Sequence, residues 1–240
     1  MSFGPQPRIA GALPAIGCIG LFLALMLTCL MPLVMFNVMQ SALERLHLSP
    51  VMATLLVMGI FIGSVVNFPV HRFTRPDPQP EVMLGPFGYV ALGPQIRNLR
   101  RETVIAVNLG GCIIPCLIAV WQMPNLLQAD SAVTGRLLAV SATNIAACYL
   151  AARPVAGVGI MMPGLLSPLV AVGMTWLLCP EAMEQRVSIA YVSGIAGPVI
   201  GADLLHLRDI LKVPVGMLSI GGAGTFDGIV LSGILAALLA

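Results

Sequence analysis

Two carboxylates stand inside apolar sequence: Asp203 in "AYVSGIAGPVIGADLLHL" and Asp227 in "GGAGTFDGIVLSGILAALLA". A charged aspartate at the centre of a membrane-spanning helix costs about 2.5 to 3.5 kcal/mol, whereas each Leu, Ile, Val or Phe returns only about 0.3 to 0.6. Acids kept at that cost point to chemistry. Two aspartates that share one proton can activate water: the ionised member takes a proton from it while the other polarises a scissile carbonyl. On this reading Asp203 and Asp227 are a catalytic pair. The same acids would also serve an ion site, with carbonyls of an unwound glycine segment and the amides of Asn108 and Asn144 completing it. His206 lies three residues after Asp203 on one helical face, a spacing that suits a metal pair as well as a solvated helix end. The architectural alternative has Asp203 capping a cytoplasmic helix end against Arg208 or Lys212 while Asp227 satisfies its own turn.

The elements that position these acids are legible in outline. Residues 214–240 as one helix would reach about 40 Å, beyond a hydrocarbon core of about 30 Å. The glycines at 221, 222 and 224 therefore predict an unwound start, with the helix beginning again near Thr225 as N-cap and running about 24 Å. Asp227 then falls in the first helical turn, where free backbone N–H groups favour an anion. Gly222, Gly224 and Thr225 are the expected backbone of the site. Asp203 sits about one turn before a turn holding Arg208, Asp209 and Lys212, beside Ile200, Ala202 and Leu204. Gly194, Gly197 and Gly201 form a small-residue seam for close helix packing, and Pro198 predicts a kink.

The chain around them is an integral membrane protein by composition. It has 240 residues, 58% hydrophobic and only 9% charged, where soluble domains carry about 25%. The expected fold class is an all-α polytopic bundle of about seven transmembrane helices, some broken by Gly or Pro, forming one transmembrane domain over residues 1–240. The spans fall near 11–40, 51–69, 103–122, 132–151, 156–179, 187–206 and 214–240; residues 187–240 hold the two-aspartate helix pair. An even number would require the Gly/Pro-rich fifth segment to be re-entrant. With a cytoplasmic N-terminus, the inner segments carry Arg8, Arg72, Arg75, Arg97, Arg100, Arg101, Arg153, Arg208 and Lys212, and the outer ones only Arg45, Arg136 and Arg186. That asymmetry places the C-terminus outside. In a prokaryote the location would be the cell's inner membrane.

The stretch at 70–102 reads as a long cytoplasmic loop. Prolines 76, 78 and 80 exclude a helix, and "EVMLGPFGYVAL" predicts a short hairpin turning at Gly85 and Pro86. Arg97, Arg100 and Arg101 close it as a positive anchor. The six cysteines all lie in apolar runs with no Cys-x-x-Cys pair, so they read as small apolar side chains; only Cys112 and Cys116 share a helical face. No cofactor or metal is implied. The net charge of +2 gives no reason to expect a nucleic-acid partner, and membrane lipid is the partner that composition demands. Oligomeric state is not legible.

"GGAGTFDGIVLSGILAALL" resembles the glycine-aspartate motif of the intramembrane aspartyl proteases, the presenilin and signal peptide peptidase group. The resemblance covers about residues 187–240. It implies that Asp203 and Asp227 are the catalytic pair, that Gly222 and Gly224 correspond to the motif glycines, and that the substrate is a transmembrane peptide. The chain departs from the pattern at three points. Thr225 and Phe226 separate the glycine from Asp227, Ala202 stands where a tyrosine is usual, and no Pro-Ala-Leu motif follows. Over its whole length the chain is closer to a prokaryotic membrane-protein family known as a domain of unknown function, sharing "VNLGGCIIP", "GADLLHLRDI" and "GGAGTFDGI". That likeness implies no activity.

Overall fold

The computed structural model describes residues 12–84, 90–155, 159–180, 183–210 and 217–240. Arg8, Lys212 and the expected hairpin turn at Gly85 and Pro86 lie outside them. Helix α1 (Ala12–Glu44) leads through a turn to α2 (Pro50–Gly63), whose start is fixed by Pro50 in the first turn and by Ser49, whose Oγ accepts the Met52 N–H. Strands β1 (Asn67–Leu84) and β2 (Val90–Asn108) follow. A π-helical turn (Leu109–Ile113) then opens α3 (Ile114–Gln128), and α4 (Ser131–Ala151) runs back. The short strands β3 (Arg153–Val155) and β4 (Gly159–Met161) pair antiparallel before α5 (Leu166–Leu178). Helix α6 (Met183–Ala196) continues through a π-helical stretch (Gly197–Leu204) into α7 (Leu205–Ile210). Strand β5 (Met217–Ile220), a 3-10 turn (Gly224–Phe226) and α8 (Gly228–Leu239) complete the chain.

The protein is mostly helical. Four helices, Gly20–Glu44, Leu109–Gln128, Ser131–Ala151 and Glu184–Asp209, are long and apolar enough to cross a membrane, which fits an integral membrane protein; α2, α5 and α8 are apolar but shorter. Helix α6 is the hub, packing against α3, α4, α5 and α8, and Tyr191 and Ile189 on it are fully buried. Gly194 lets α8 approach, since a Cβ there would meet the Ser232 carbonyl oxygen and Ala236, whereas Gly197 and Gly201 open toward Asn144, Ile145 and Cys148 of α4. The small-residue seam thus serves two neighbours.

One end of the bundle is tied by polar contacts to helix termini. The Arg45 guanidinium donates to the Leu238 carbonyl, and Trp176 Nε1 donates to the Leu239 carbonyl at 3.0 Å. Arg186 caps the end of α5 through the Cys179 and Pro180 carbonyls, its guanidinium 4.8 Å above the Trp176 ring. A cation at a helix C-terminus is also favoured by the helix dipole.

The opposite end holds the departures from the expected helices, so the fold is not all-α. The helix expected at 51–69 stops at Gly63, where the backbones of Gly63 and Gly110 approach too closely for a side chain on either. Residues 103–108 are strand, and the third helix begins only after Asn108. The fifth segment starts as the β3–β4 hairpin, with its helix beginning at Leu166 rather than 156. The stretch read as a cytoplasmic loop at 70–102 is a ribbon formed by the whole of β1 and β2, far longer than the hairpin expected at its tip. Strand β5 adds to β2 in parallel, giving the order β1-β2-β5.

The prolines explain how the ribbon holds. Pro69, Pro76, Pro78 and Pro80 pair with Ala106, Arg100, Asn98 and Ile96, and a bulge between Pro69 and His71 supplies the one-residue shift that brings all four into the same phase. That phase is fixed by the bond from the Leu109 N–H to the Val66 carbonyl, which makes Asn67 and Asn108 a non-hydrogen-bonded pair. Every missing proline N–H therefore falls on the free edge of β1, at no cost to the ladder.

Candidate functional site

The site is built where α2, β2–α3 and β5–α8 meet at backbone contact. A Cβ on Gly111 would strike the Gly221 carbonyl oxygen, and one on Gly224 would lie 2.5 Å from the Ser64 Cβ. Gly221 and Gly224 also have φ of 73° and 62°, in the left-handed region that favours glycine. The segment between β5 and α8 is folded on itself accordingly, with N–H to carbonyl bonds from Gly222 to Ser219, Gly224 to Gly221 and Asp227 to Gly224. Polar side chains fasten the same junction. Asn67 Oδ1 accepts from Ser219 Oγ at 2.5 Å and from Asn108 Nδ2 at 3.1 Å. Asn108 Nδ2 also reaches the Ser64 carbonyl at 2.8 Å, and Ser64 Oγ meets Thr225 Oγ1 at 2.9 Å.

This arrangement places Asp227 differently from the sequence expectation. Asp227 is itself the N-cap of α8, and Thr225 lies in the preceding 3-10 turn with its hydroxyl on Ser64. The reason is local: aspartate in an extended conformation is a better N-cap than threonine held in a 3-10 turn. Its Oδ1 accepts the Ile229 N–H at 3.0 Å and its Oδ2 the Ala223 N–H at 3.2 Å. The expected unwinding is present, and α8 is shorter than expected, 12 residues or about 18 Å.

Asp203 is carried by the π-helical stretch that begins at Gly197. Pro198 has no N–H to give the preceding turn, and wider turns follow it. At the wider period Pro198, Ala202 and Asp203 line the cavity, while Gly197 and Gly201 keep the adjoining side against α4, where Ala202 also meets Cys148. Among the described residues no side chain or backbone group hydrogen-bonds the Asp203 carboxyl, and neither does Arg208 pair with it.

Both acids line one cavity of about 390 Å³. Its walls come from the π-helical stretch (Pro198, Ala202, Asp203), from β5 and the glycine segment (Leu218, Ser219, Gly221, Gly222, Ala223), from the start of α8 (Asp227, Gly228, Ile229), and from Ile160, Met162 and Gly164 beside the β3–β4 hairpin. Gly224 and Thr225 are buried behind this wall.

The remaining expected polar residues lie elsewhere. Asn108, fully buried, caps the π-helical turn by accepting the Gly111 N–H at 2.7 Å. Asn144, also fully buried, donates to Ser167 Oγ and the Ser193 carbonyl, and Ser167 in turn meets Ser232 Oγ at 2.5 Å, so it knits α4, α5, α6 and α8 together. His206 is buried with Nδ1 facing the Gly201 and Ala202 carbonyls and its ring 4.8 Å from that of Tyr149. Two carbonyls require that nitrogen to be the protonated one. Among the described residues no group of three His, Cys, Asp or Glu is placed to hold a metal. Sequence reasoning missed Ser64, Asn67, Ser219, Ile160 and Met162. The first three are isolated polar residues at the ends of apolar runs, a weak signal; the last two carry none.

Fold and site together define a membrane-protein class: a mostly helical bundle with a two-aspartate cavity at one end, built from broken helices. Residues 61–239 match the profile of the family described as a protein of unknown function (DUF1614), and the chain belongs to that family. Neither the curated proteins nor the solved structures contain a match.

Proposed function

We propose that the protein is an intramembrane aspartyl-type peptidase that hydrolyses a peptide bond near the cytoplasmic face. The observation that carries this reading is that Asp203 and Asp227, from different helices, open into one cavity. Asp227 is anchored by two backbone donors and is the fixed base for water. Asp203, which no described group holds, is the partner free to turn toward a substrate carbonyl. The second edge of β5 pairs with no described strand, and Leu218 and Ser219 on it line the cavity, so an extended peptide could add there by main-chain bonding. In this proposal the helices cross the membrane as seven spans, α6 and α7 forming one, the N-terminus is cytoplasmic, and the substrate is a transmembrane peptide.

Ion-coupled transport by the same acids is the second reading. It is the weaker one, because Asn108 and Asn144 are spent on a helix cap and on interhelical bonds outside the cavity. The experiment compares wild type, Asp203→Asn and Asp227→Asn, purified in detergent, on a transmembrane-helix substrate. Cleavage by the wild type alone supports the peptidase. Undiminished cleavage in either variant overturns it, and proton or cation flux in liposomes that both substitutions abolish would favour transport.

A further inference from the structure

Cys112 and Cys116 have no part in the chemistry above, although Cys112 packs against the backbone of Gly221 behind the cavity wall. The π-helical opening of α3 sets their Sγ atoms 4.0 Å apart, with Cys112 buried and Cys116 half-buried. We propose that this pair is a two-thiol binding site for small thiophilic centres that form neutral bis-thiolates, trivalent organoarsenicals being the class it fits.

Three observations lead there. The sulfurs are already in contact on one helical face, so a bridging atom needs only a side-chain rotation. Among the described residues no third His, Cys, Asp or Glu joins them, which removes ions that require three or four protein ligands. The surroundings are the apolar core that includes Ile118 and Tyr191, where an adduct without net charge is strongly favoured over a charged one. A monovalent soft cation on two thiolates would leave a negative charge there; an organoarsenical does not. With an arsenoso compound, two As–S bonds form and the arsenic–oxygen bond breaks. Both thiol protons leave with the oxygen as water, and arsenic stays trivalent. Cys148 and Cys179 have no cysteine neighbour among the described residues and offer one sulfur each. The half-buried Cys116 is the point of entry.

The test uses phenylarsine oxide on the purified full-length chain in detergent. One arsenic per chain is expected, with two of the six cysteines lost to thiol titration and the adduct mapped by mass spectrometry to the peptide holding Cys112 and Cys116. Excess monothiol should leave it in place and 2,3-dimercaptopropanol should remove it. Cys112→Ser and Cys116→Ser should each weaken uptake on the order of 100-fold, the loss of a second tethered ligand, and Cys148→Ser should not. An adduct mapped to other cysteines, or equal uptake by Cys116→Ser, overturns the proposal. Mapping on the wild type decides the matter even where a variant fails to fold, and no outcome depends on peptidase activity.

Discussion

Asp227 has two duties, and they separate by substitution. As N-cap it accepts the Ile229 N–H at Oδ1, a bond that asparagine can also make; Oδ2 accepts the Ala223 N–H, where an asparagine amide would set donor against donor. Asp227→Ala loses both and should cost about 1 to 2 kcal/mol, read as a lower unfolding midpoint in detergent, with Asp227→Asn between it and the wild type. If Asp227→Asn unfolds as readily as Asp227→Ala, the cap is not what holds the turn. Glycine contacts allow a second comparison. Gly111→Ala would drive a methyl into the Gly221 carbonyl and should destabilise by about 3 kcal/mol or more, whereas Gly135, exposed on α4 with open space around it, should tolerate alanine with a gain of about 0.5 to 1 kcal/mol. Equal midpoints for the two alanine variants would show that the backbone junction gives way easily.

Among the elements, the ribbon shows where sequence reading succeeds and stops. Prolines at 76, 78 and 80 excluded a helix, but their spacing of two was also a strand signal: every second residue of an edge strand can lack an N–H without loss. The bulge that brings Pro69 into the same phase has no local signature, because it depends on pairing with Ala106. The broken segments divide similarly. Glycines and excess length announced the break before Asp227. Helix termination at Gly63 depends on Gly110, far along the chain, and apolar strands at 103–108 and 217–220 read as span because both are buried against other elements. Asp77 faces Leu99 as a hydrogen-bonded pair, so Asp77→Pro should break the ladder, whereas Pro78→Ala should not. Hydrogen exchange at the Leu99 amide should accelerate at least tenfold in the first variant only. Acceleration in both, or in neither, would refute the assigned phase.

At the scale of the whole molecule, the three short helices fall short at the same end. Helices α2, α5 and α8 have 14, 13 and 12 residues, about 18 to 21 Å, against a hydrocarbon core of about 30 Å. Helix α2 ends, and α5 and α8 begin, at the end that holds the cavity, and their missing turns are replaced by glycine segments, the β3–β4 hairpin and β5. Irregular backbone within a hydrocarbon core survives only if protein buries it or water reaches it; here the Leu109, Gly222, Gly224 and Asp227 N–H groups all find carbonyls, and the cavity opens beside them. If the three short helices cross as proposed, the shortfall would set the two acids roughly 10 Å inside the boundary reached by the long helices. This arrangement predicts membrane sidedness. A reporter inserted after Leu84, at the far end of β1, should lie on the same side as the acids, and one at Ala129, between α3 and α4, on the opposite side. Signals from the same side at both positions would mean that α3 does not cross, and the cavity would then not be a site within the membrane.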